Sequence, residues 1–306
     1  MQPEQFAESG TRCGFVALIG VPNAGKSTLI NSLVGAKVAI VSRKVQTTRQ
    51  LVRGIVVEGA AQIIFVDTPG IFQPKRRLDR AMVTSAWGGA GDADSIGLLV
   101  DARRGIDENV ETLLARLADM RRPKVLVLNK IDLIGRDKLL GLTADLNARL
   151  SFEQTFMISA LTGDGVDDLK ASLAGMMPES PWLYPEDQIT DAPLRMLAAE
   201  ITREKMFERL HDELPYQSTV ETDSWEERPD GSVRIEQTVF VERESQRKIV
   251  LGEKGSTIKA IGQAARRDIG EAADTNVHLF LHVKVRENWS DDPARYREMG
   301  LDFPRN

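Results

Sequence analysis

The sequence predicts two folded domains of different class in succession: an α/β domain on a mainly parallel sheet with helices on both faces, then a small α+β unit. Three observations predict this. From Gly14 to about Met177, short runs apolar on both sides alternate with helix-length amphipathic stretches. The segment Pro178 to Pro185 then places three prolines in eight residues, which forbids regular helix and favours an extended connection. Beyond it, strand-like alternation surrounds only two helical stretches.

In the first domain the strand candidates are Phe15 to Ile19, Ile63 to Val66, Gly97 to Val100 and Val125 to Leu128. Each ends in polar or glycine residues, at the carboxyl ends where open parallel sheets put their ligands. The second domain reads as a helix (Arg195 to Leu210), strands (Ser218 to Trp225, Val233 to Val241), a glycine turn, a helix (Ser256 to Ile269) and a strand (Val277 to Val285). The expected boundaries are residues 1–178 for the first domain, 179–194 for a linker and 195–306 for the second domain with its C-terminal tail.

Composition narrows the class. The one cysteine, Cys13, forms no internal disulfide, and three histidines without further cysteines make no zinc site. No run approaches the roughly 18 apolar residues that span a bilayer, and the first ten residues do not read as a secretory signal. A cytoplasmic chain is expected, with any membrane contact peripheral. A net charge of −5 argues against indiscriminate nucleic-acid binding, although a local basic patch survives such a sum.

Four motifs carry the chemistry of the first domain. Gly20-Val21-Pro22-Asn23-Ala24-Gly25-Lys26-Ser27 follows the first strand and runs into the helical Thr28-Leu29-Ile30. This is the G-x-x-x-x-G-K-[ST] loop in its strand-loop-helix setting. Its glycines let backbone N–H groups surround a β-phosphate beside a helix N-terminus, Lys26 reaches the β- and γ-phosphates, and Ser27 binds Mg²⁺. The run ending at Val66 leads into Asp67-Thr68-Pro69-Gly70, in which Asp67 suits Mg²⁺ and the Gly70 N–H suits a γ-phosphate. After Leu128 comes Asn129-Lys130-Ile131-Asp132, where the Asp132 carboxylate accepts from two donors that guanine has and adenine lacks. Ser159-Ala160-Leu161 follows a further strand and offers a backbone N–H to the guanine carbonyl. The polar loop Ser42 to Arg49 contributes a hydroxyl to Mg²⁺ while a γ-phosphate is present; Thr48 is the expected ligand and Thr47 the alternative.

This series resembles the G motifs of the translation-factor-related GTPases, and nearly all of residues 14 to 290 is similar to the Era family. Gln46-Thr47-Thr48-Arg49 and Asp67-Thr68-Pro69-Gly70 fit that family better than Ras-like proteins. The resemblance implies GTP hydrolysis with Lys26, Thr48 and Gly70 at the reaction, GTP/GDP and Mg²⁺ as ligands, and K⁺ as a further one. Ras-like enzymes place a water-orienting glutamine after the glycine of the second motif; here Ile71 stands there and cannot hydrogen-bond water. Resembling GTPases with an apolar residue at that place use K⁺ held by a P-loop asparagine, matched here by Asn23. The plainer alternative is that Asn23 only shapes the loop.

In the second domain Gly252-Glu253-Lys254-Gly255 is a G-x-x-G turn opening a helix, the arrangement with which KH domains clamp single-stranded nucleic acid. The tetrapeptide alone says little, since Gly88 to Gly91 matches it too. Charge raises it: seven basic residues against two acidic ones lie between Arg243 and Arg267. Arg247, Lys248, Ile249, Gly252, Glu253, Lys254, Gly255 and Lys259 are the expected RNA contacts. Ile249, Leu251, Ile258 and Ile261 are candidates for an apolar groove floor or for the core. The acidic stretch Glu221 to Glu227 is expected away from the RNA. His278 and His282 share a strand face without a third metal ligand, which points to a structural or surface role. The strand and helix order resembles a type II KH domain, and the Era resemblance implies the 3′ end of 16S rRNA and the 30S subunit as partners, with peripheral contact at the inner membrane. Two other readings stay open at this point: a membrane-surface signalling GTPase using the basic segment on anionic lipid, and an ATP-using P-loop kinase.

Overall fold

The structure, a computed structural model, describes residues 10–42, 44, 52–72, 74, 76–211, 213–287, 289, 292, 293, 296, 299 and 301–304. Two compact units divide the chain. The first takes Met1–Ala39, Thr48–Asp191 and Gly300–Asn306; the second takes Ile40–Thr47 and Ala192–Met299.

The first unit holds β1 (Arg12–Ile19), α1 (Lys26–Val34), β2 (Val52–Glu58), β3 (Ala61–Asp67), α2 (Arg77–Asp92), β4 (Ser95–Asp101), α3 (Glu108–Ala118), β5 (Lys124–Asn129), α4 (Arg136–Arg149), β6 (Gln154–Ile158) and α5 (Val166–Met176). Its sheet runs β2-β3-β1-β4-β5-β6, parallel except for β2, which pairs antiparallel with β3 at one edge. Every residue of β3 and β4 is buried, as expected of central strands covered on both faces. β2 is the strand that the sequence reading does not single out. Its Val-Arg-Gly-Ile-Val-Val-Glu pattern is only half buried, as suits an edge, and carries less of the apolar signal.

Much of the stretch expected as linker is stitched to this unit. The Gln62 side chain, wholly buried in β3, accepts from the Leu183 and Tyr184 N–H groups and donates to the Tyr184 carbonyl. Arg53 pairs with Asp191 at 2.6 Å. At the far end of the chain Leu301 is buried, and Phe303 lies under the Arg77 guanidinium at 5.1 Å. Asp302 and Pro304 help enclose a cavity of about 510 Å³ against α2.

The second unit holds α6 (Leu194–Arg209), β7 (Ser218–Glu227), β8 (Val233–Val241), α7 (Glu244–Leu251), α8 (Ser256–Ala273) and β9 (Val277–Val285). Its sheet runs β7-β8-β9, antiparallel then parallel. Leu197, Ala198 and Ile201 of α6 pack on Val233 and Ile235 of β8 and on Ala265 and Ile269 of α8. The sequence reading passes from Val241 directly to the glycine turn; the structure inserts α7. That helix buries only Val250, so it lacks an apolar stripe, and its start is marked by Gln246 accepting from the Glu242 and Arg243 N–H groups.

Candidate nucleotide and nucleic-acid sites

The β1–α1 loop is shaped by one glycine above all. Gly25 holds φ 102°, and a Cβ there would come within 2.3 Å of the Asn129 side-chain nitrogen. Asn129 in turn donates to the Ala24 carbonyl at 2.9 Å and accepts from the Ala160 N–H at 2.9 Å. It therefore binds three of the sequence motifs together from a 2% exposed position. Lys130 adds a second tie, donating to the Asn23 carbonyl at 2.6 Å and to Asp101 at 2.7 Å. Asn23 sits at φ 65°, a left-handed conformation uncommon for a residue with a side chain. Asp132, by contrast, is exposed in a single turn just after β5, as a carboxylate awaiting a ligand should be.

Lys26 is buried, and its ammonium donates to the Gly20 and Val21 carbonyls at 3.1 and 3.4 Å. Burial pulls its pKa down to about 8, and the Asp67 carboxylate opposes that pull. The Ser27 hydroxyl donates to Asp67 Oδ2 at 2.8 Å. A hydroxyl and a carboxylate meeting at the mouth of a phosphate loop are the hard oxygen donors that Mg²⁺ takes, with phosphate and water completing its shell. No group of three or more His, Cys, Asp or Glu suited to a metal ion occurs among the described residues. One hydroxyl and one carboxylate leave most of the shell to phosphate and water, which suits a metal that arrives with a polyphosphate. Thr68 donates to the Leu18 carbonyl at 2.6 Å, and the Ile71 N–H donates to the Gly20 carbonyl at 3.2 Å, so the second motif leans on the first. A Cβ on Gly70 would touch Pro22 at 3.0 Å, which leaves room there for backbone only.

In the second unit the turn between α7 and α8 is equally specific. Gly252 has φ 73°, and a Cβ on it would fall 2.2 Å from the Thr257 hydroxyl. Lys254 and Gly255 follow at φ 50° and 79°. Beyond the turn, Ile258, Lys259, Gly262, Gln263 and Arg266 of α8 and Leu279 and Leu281 of β9 line a groove of about 620 Å³. Its lining sets three aliphatic side chains beside two basic ones. Such a groove suits unstacked bases against the aliphatic side chains and phosphates against the basic ones.

Residues 15–130 match the family model of the 50S ribosome-binding GTPase, and residues 213–290 match that of the KH domain. GTPase Era of Afipia carboxidovorans is 67% identical over 99% of this chain and 98% of its own length. GTPase Era of Bradyrhizobium sp. strain BTAi1 is 66% identical over the whole of both chains. The chain belongs to the Era family of GTPases. Two solved Era structures superpose with TM-scores of 0.89 and 0.88, each 37% identical and covering 95% of this chain and 99% of the other. One is an Aquifex aeolicus Era variant bound to GDP and AlF4⁻; the other is Era in complex with MgGDPNP and nucleotides 1506–1542 of 16S ribosomal RNA.

Gly20 to Thr28, Asp67 to Gly70, Asn129 to Asp132 and Ser159 to Leu161 all lie at the ends of β1, β3, β5 and β6 along one edge of the Era GTPase sheet. Leu161 is 80% exposed there. Thr47 and Thr48 lie outside the described residues. Of the groove candidates, Ile258 lines the groove, Ile261 is fully buried in the core and Ile249 is 58% exposed on α7. Gly88 and Gly91 lie inside α2 and form no turn. β8 separates the acidic stretch of β7 from the groove, and His278 and His282 are exposed on β9. Sequence reasoning counted Arg266 in the basic segment without placing it at the groove, and missed Asp101, Gly262, Gln263, Leu279 and Leu281. Asp101 had a legible signal, since it ends an apolar strand just as Asp67 does; the groove residues had none until α8 and β9 were laid side by side.

Proposed function

We propose that this chain is a GTP-driven switch that binds single-stranded RNA, namely the 3′ end of 16S rRNA, during assembly of the 30S subunit. One observation carries the reading. A solved relative, 37% identical over 95% of this chain, holds MgGDPNP together with nucleotides 1506–1542 of 16S ribosomal RNA, and this chain's own residues build a site of each kind.

In this reading the P-loop backbone from Gly20 to Ser27 and the first turn of α1 at Thr28 take the phosphates, and Lys26 exchanges the Gly20 and Val21 carbonyls for β- and γ-phosphate oxygens. Ser27 and Asp67 hold Mg²⁺, with Thr48 as a third protein ligand. The ion, when bound, neutralises charge that develops on the phosphate oxygens. Thr68 and Pro69 set Gly70 so that its N–H faces the γ-phosphate. Asp132 selects guanine, Asn129 and Lys130 brace the loops around it, and a backbone N–H of Ser159 to Leu161 meets the base's carbonyl. Ile71 is 6% exposed in the apolar core and orients no water; Asn23 would hold a K⁺ ion, which would add positive charge beside the phosphates. On the RNA side, Gly252 to Gly255 admit the sugar-phosphate backbone. Lys248, Lys254, Lys259 and Arg247 supply charge, with Arg266 added by the groove's lining.

The test is the affinity of the purified chain for a short RNA copied from the 16S 3′ end, measured with GDPNP, with GDP and against a scrambled RNA. Sequence-dependent binding that changes with the nucleotide supports the proposal. Equal and salt-sensitive binding in all arms would overturn it, and retention on anionic vesicles without RNA preference would assign the basic face to lipid.

A further inference from the structure

Four non-glycine residues hold positive φ among the described residues, and two of them, Asn23 at 65° and Lys130 at 68°, are joined to each other. The Lys130 ammonium makes the join, donating to the Asn23 carbonyl at 2.6 Å. A left-handed conformation is unfavourable for a residue with a side chain and persists only where its surroundings over-determine it. A third residue supplies that constraint. The same ammonium donates to Asp101 Oδ2 at 2.7 Å, and Asp101, the last residue of β4, is 2% exposed.

The sheet fixes this carboxylate in turn. Asp101 stands beside Asn129 in the β4–β5 register, and the Ala102 N–H donates to the Asn129 carbonyl at 2.9 Å. The Arg103 N–H donates to Asp101 Oδ1 at 3.0 Å, and the Arg104 and Gly105 N–H groups both donate to the Asp101 carbonyl at 3.0 Å. One carboxylate oxygen is thus engaged by the backbone of its own turn and the other by Lys130. Asp67, which also ends a strand, differs in that its Oδ2 accepts from Ser27 at the mouth of the phosphate loop.

We propose that Asp101 is a positioning residue for nucleotide retention: it holds the Lys130 ammonium on the Asn23 carbonyl and so keeps the P-loop in its phosphate-binding shape. This role rests on the placement of the nucleotide in these loops given above. Without the carboxylate, Lys130 loses its buried anion, and its flexible stem lets the strongly hydrated ammonium turn to water. Asn23, no longer held, relaxes out of the left-handed region. That turns a peptide group of the loop, and with it an N–H that the phosphates need. Base choice is left alone, because it lies with Asp132.

The experiment times the release of a fluorescent GDP from the wild-type chain, from Asp101→Asn, from Lys130→Met and from the double variant, with thermal unfolding to establish that each is folded. Asp101→Asn keeps the side-chain shape and an acceptor for the Arg103 N–H, and should release GDP at least about tenfold faster than wild type. Lys130→Met should release it at least as fast. The double variant should stay within about twofold of Lys130→Met, because Asp101 then has no ammonium to hold. Where Asp101→Asn does not fold, Asp101→Ser takes its place, with an oxygen near the Arg103 N–H and no charge for Lys130. Release within about twofold of wild type from the Asp101 variant would overturn the proposal. So would a double variant accelerated by the product of the two single effects, the outcome if Asp101 merely holds the turn at 102–105. Preference for GTP over ATP should stay within about twofold of wild type in the Asp101 variant, and its loss would make Asp101 part of the base site instead. A wild-type chain that retains no GDP would overturn the nucleotide placement, and the proposal with it.

Discussion

Cys13 is 4% exposed in β1, with its thiol set against the Gln62 side-chain oxygen at 3.6 Å. Burial raises its pKa above the ordinary 9.0, and the nearby Asp94 charge adds to this against an opposing hydrogen bond from the Leu183 backbone. The folded chain therefore holds this proton more tightly than the unfolded chain does. The stability it contributes is complete below pH 9 and declines as the pH rises through the ordinary thiol pKa toward the folded one. Titration with a thiol reagent at pH 8 should label the native chain at least about 100-fold more slowly than the unfolded chain; equal rates would mean that the β1–β3 contact opens freely. Asn23 makes a second residue-scale prediction. Its φ of 65° is one that glycine adopts without strain, so Asn23→Gly removes the side chain and leaves the loop's shape. Hydrolysis by the wild-type chain should run roughly tenfold faster in K⁺ than in Na⁺, about 1.4 kcal/mol of barrier, and Asn23→Gly should abolish the difference. A K⁺ effect that persists in the variant would move the ion elsewhere. The nucleotide residues were legible because each motif is short and local. What the residues of Asn129-Lys130 grip was not, because Ala24, Asn23 and Asp101 come from three other loops.

At the scale of elements, the α7–turn–α8 corner separates two glycines that look equivalent in sequence. A Cβ at Gly252 meets the Thr257 side chain and backbone, whereas at Gly255 it meets nothing within 4 Å. Gly252→Asp should therefore shift the start of α8 and place a carboxylate where phosphates approach, lowering RNA affinity by at least about 100-fold, or ~2.7 kcal/mol. Gly255→Asp carries only conformational strain and added charge, with a smaller loss. GTP affinity should stay within about twofold of wild type in both, since the nucleotide motifs lie in the other unit. Titrating labelled RNA and a fluorescent GTP analogue into each variant checks this, and loss of both ligands together would refute the separation. The helix α8 was legible from its length and amphipathic pattern; α7 was not, for eight residues with one buried side chain carry too little periodicity. β2 escaped for the related reason that an edge strand is only half covered.

For the whole molecule, the two-domain class followed from periodicity and from a cluster of prolines, both of which are properties of continuous stretches of chain. The division of the structure is less continuous: Ile40–Thr47 joins the later unit and Gly300–Asn306 joins the earlier one. No pattern within either segment announces this, because each is fixed by surfaces formed more than a hundred residues away in sequence. The consequence concerns birth rather than action. A ribosome makes chain at about 5–20 residues per second and lets early domains fold first. Most of the GTPase unit is thus free to fold many seconds before Phe303, which packs under Arg77 at the start of α2, has been made. A newly made GTPase unit completes that face only after the whole of the intervening RNA-binding unit has been synthesised.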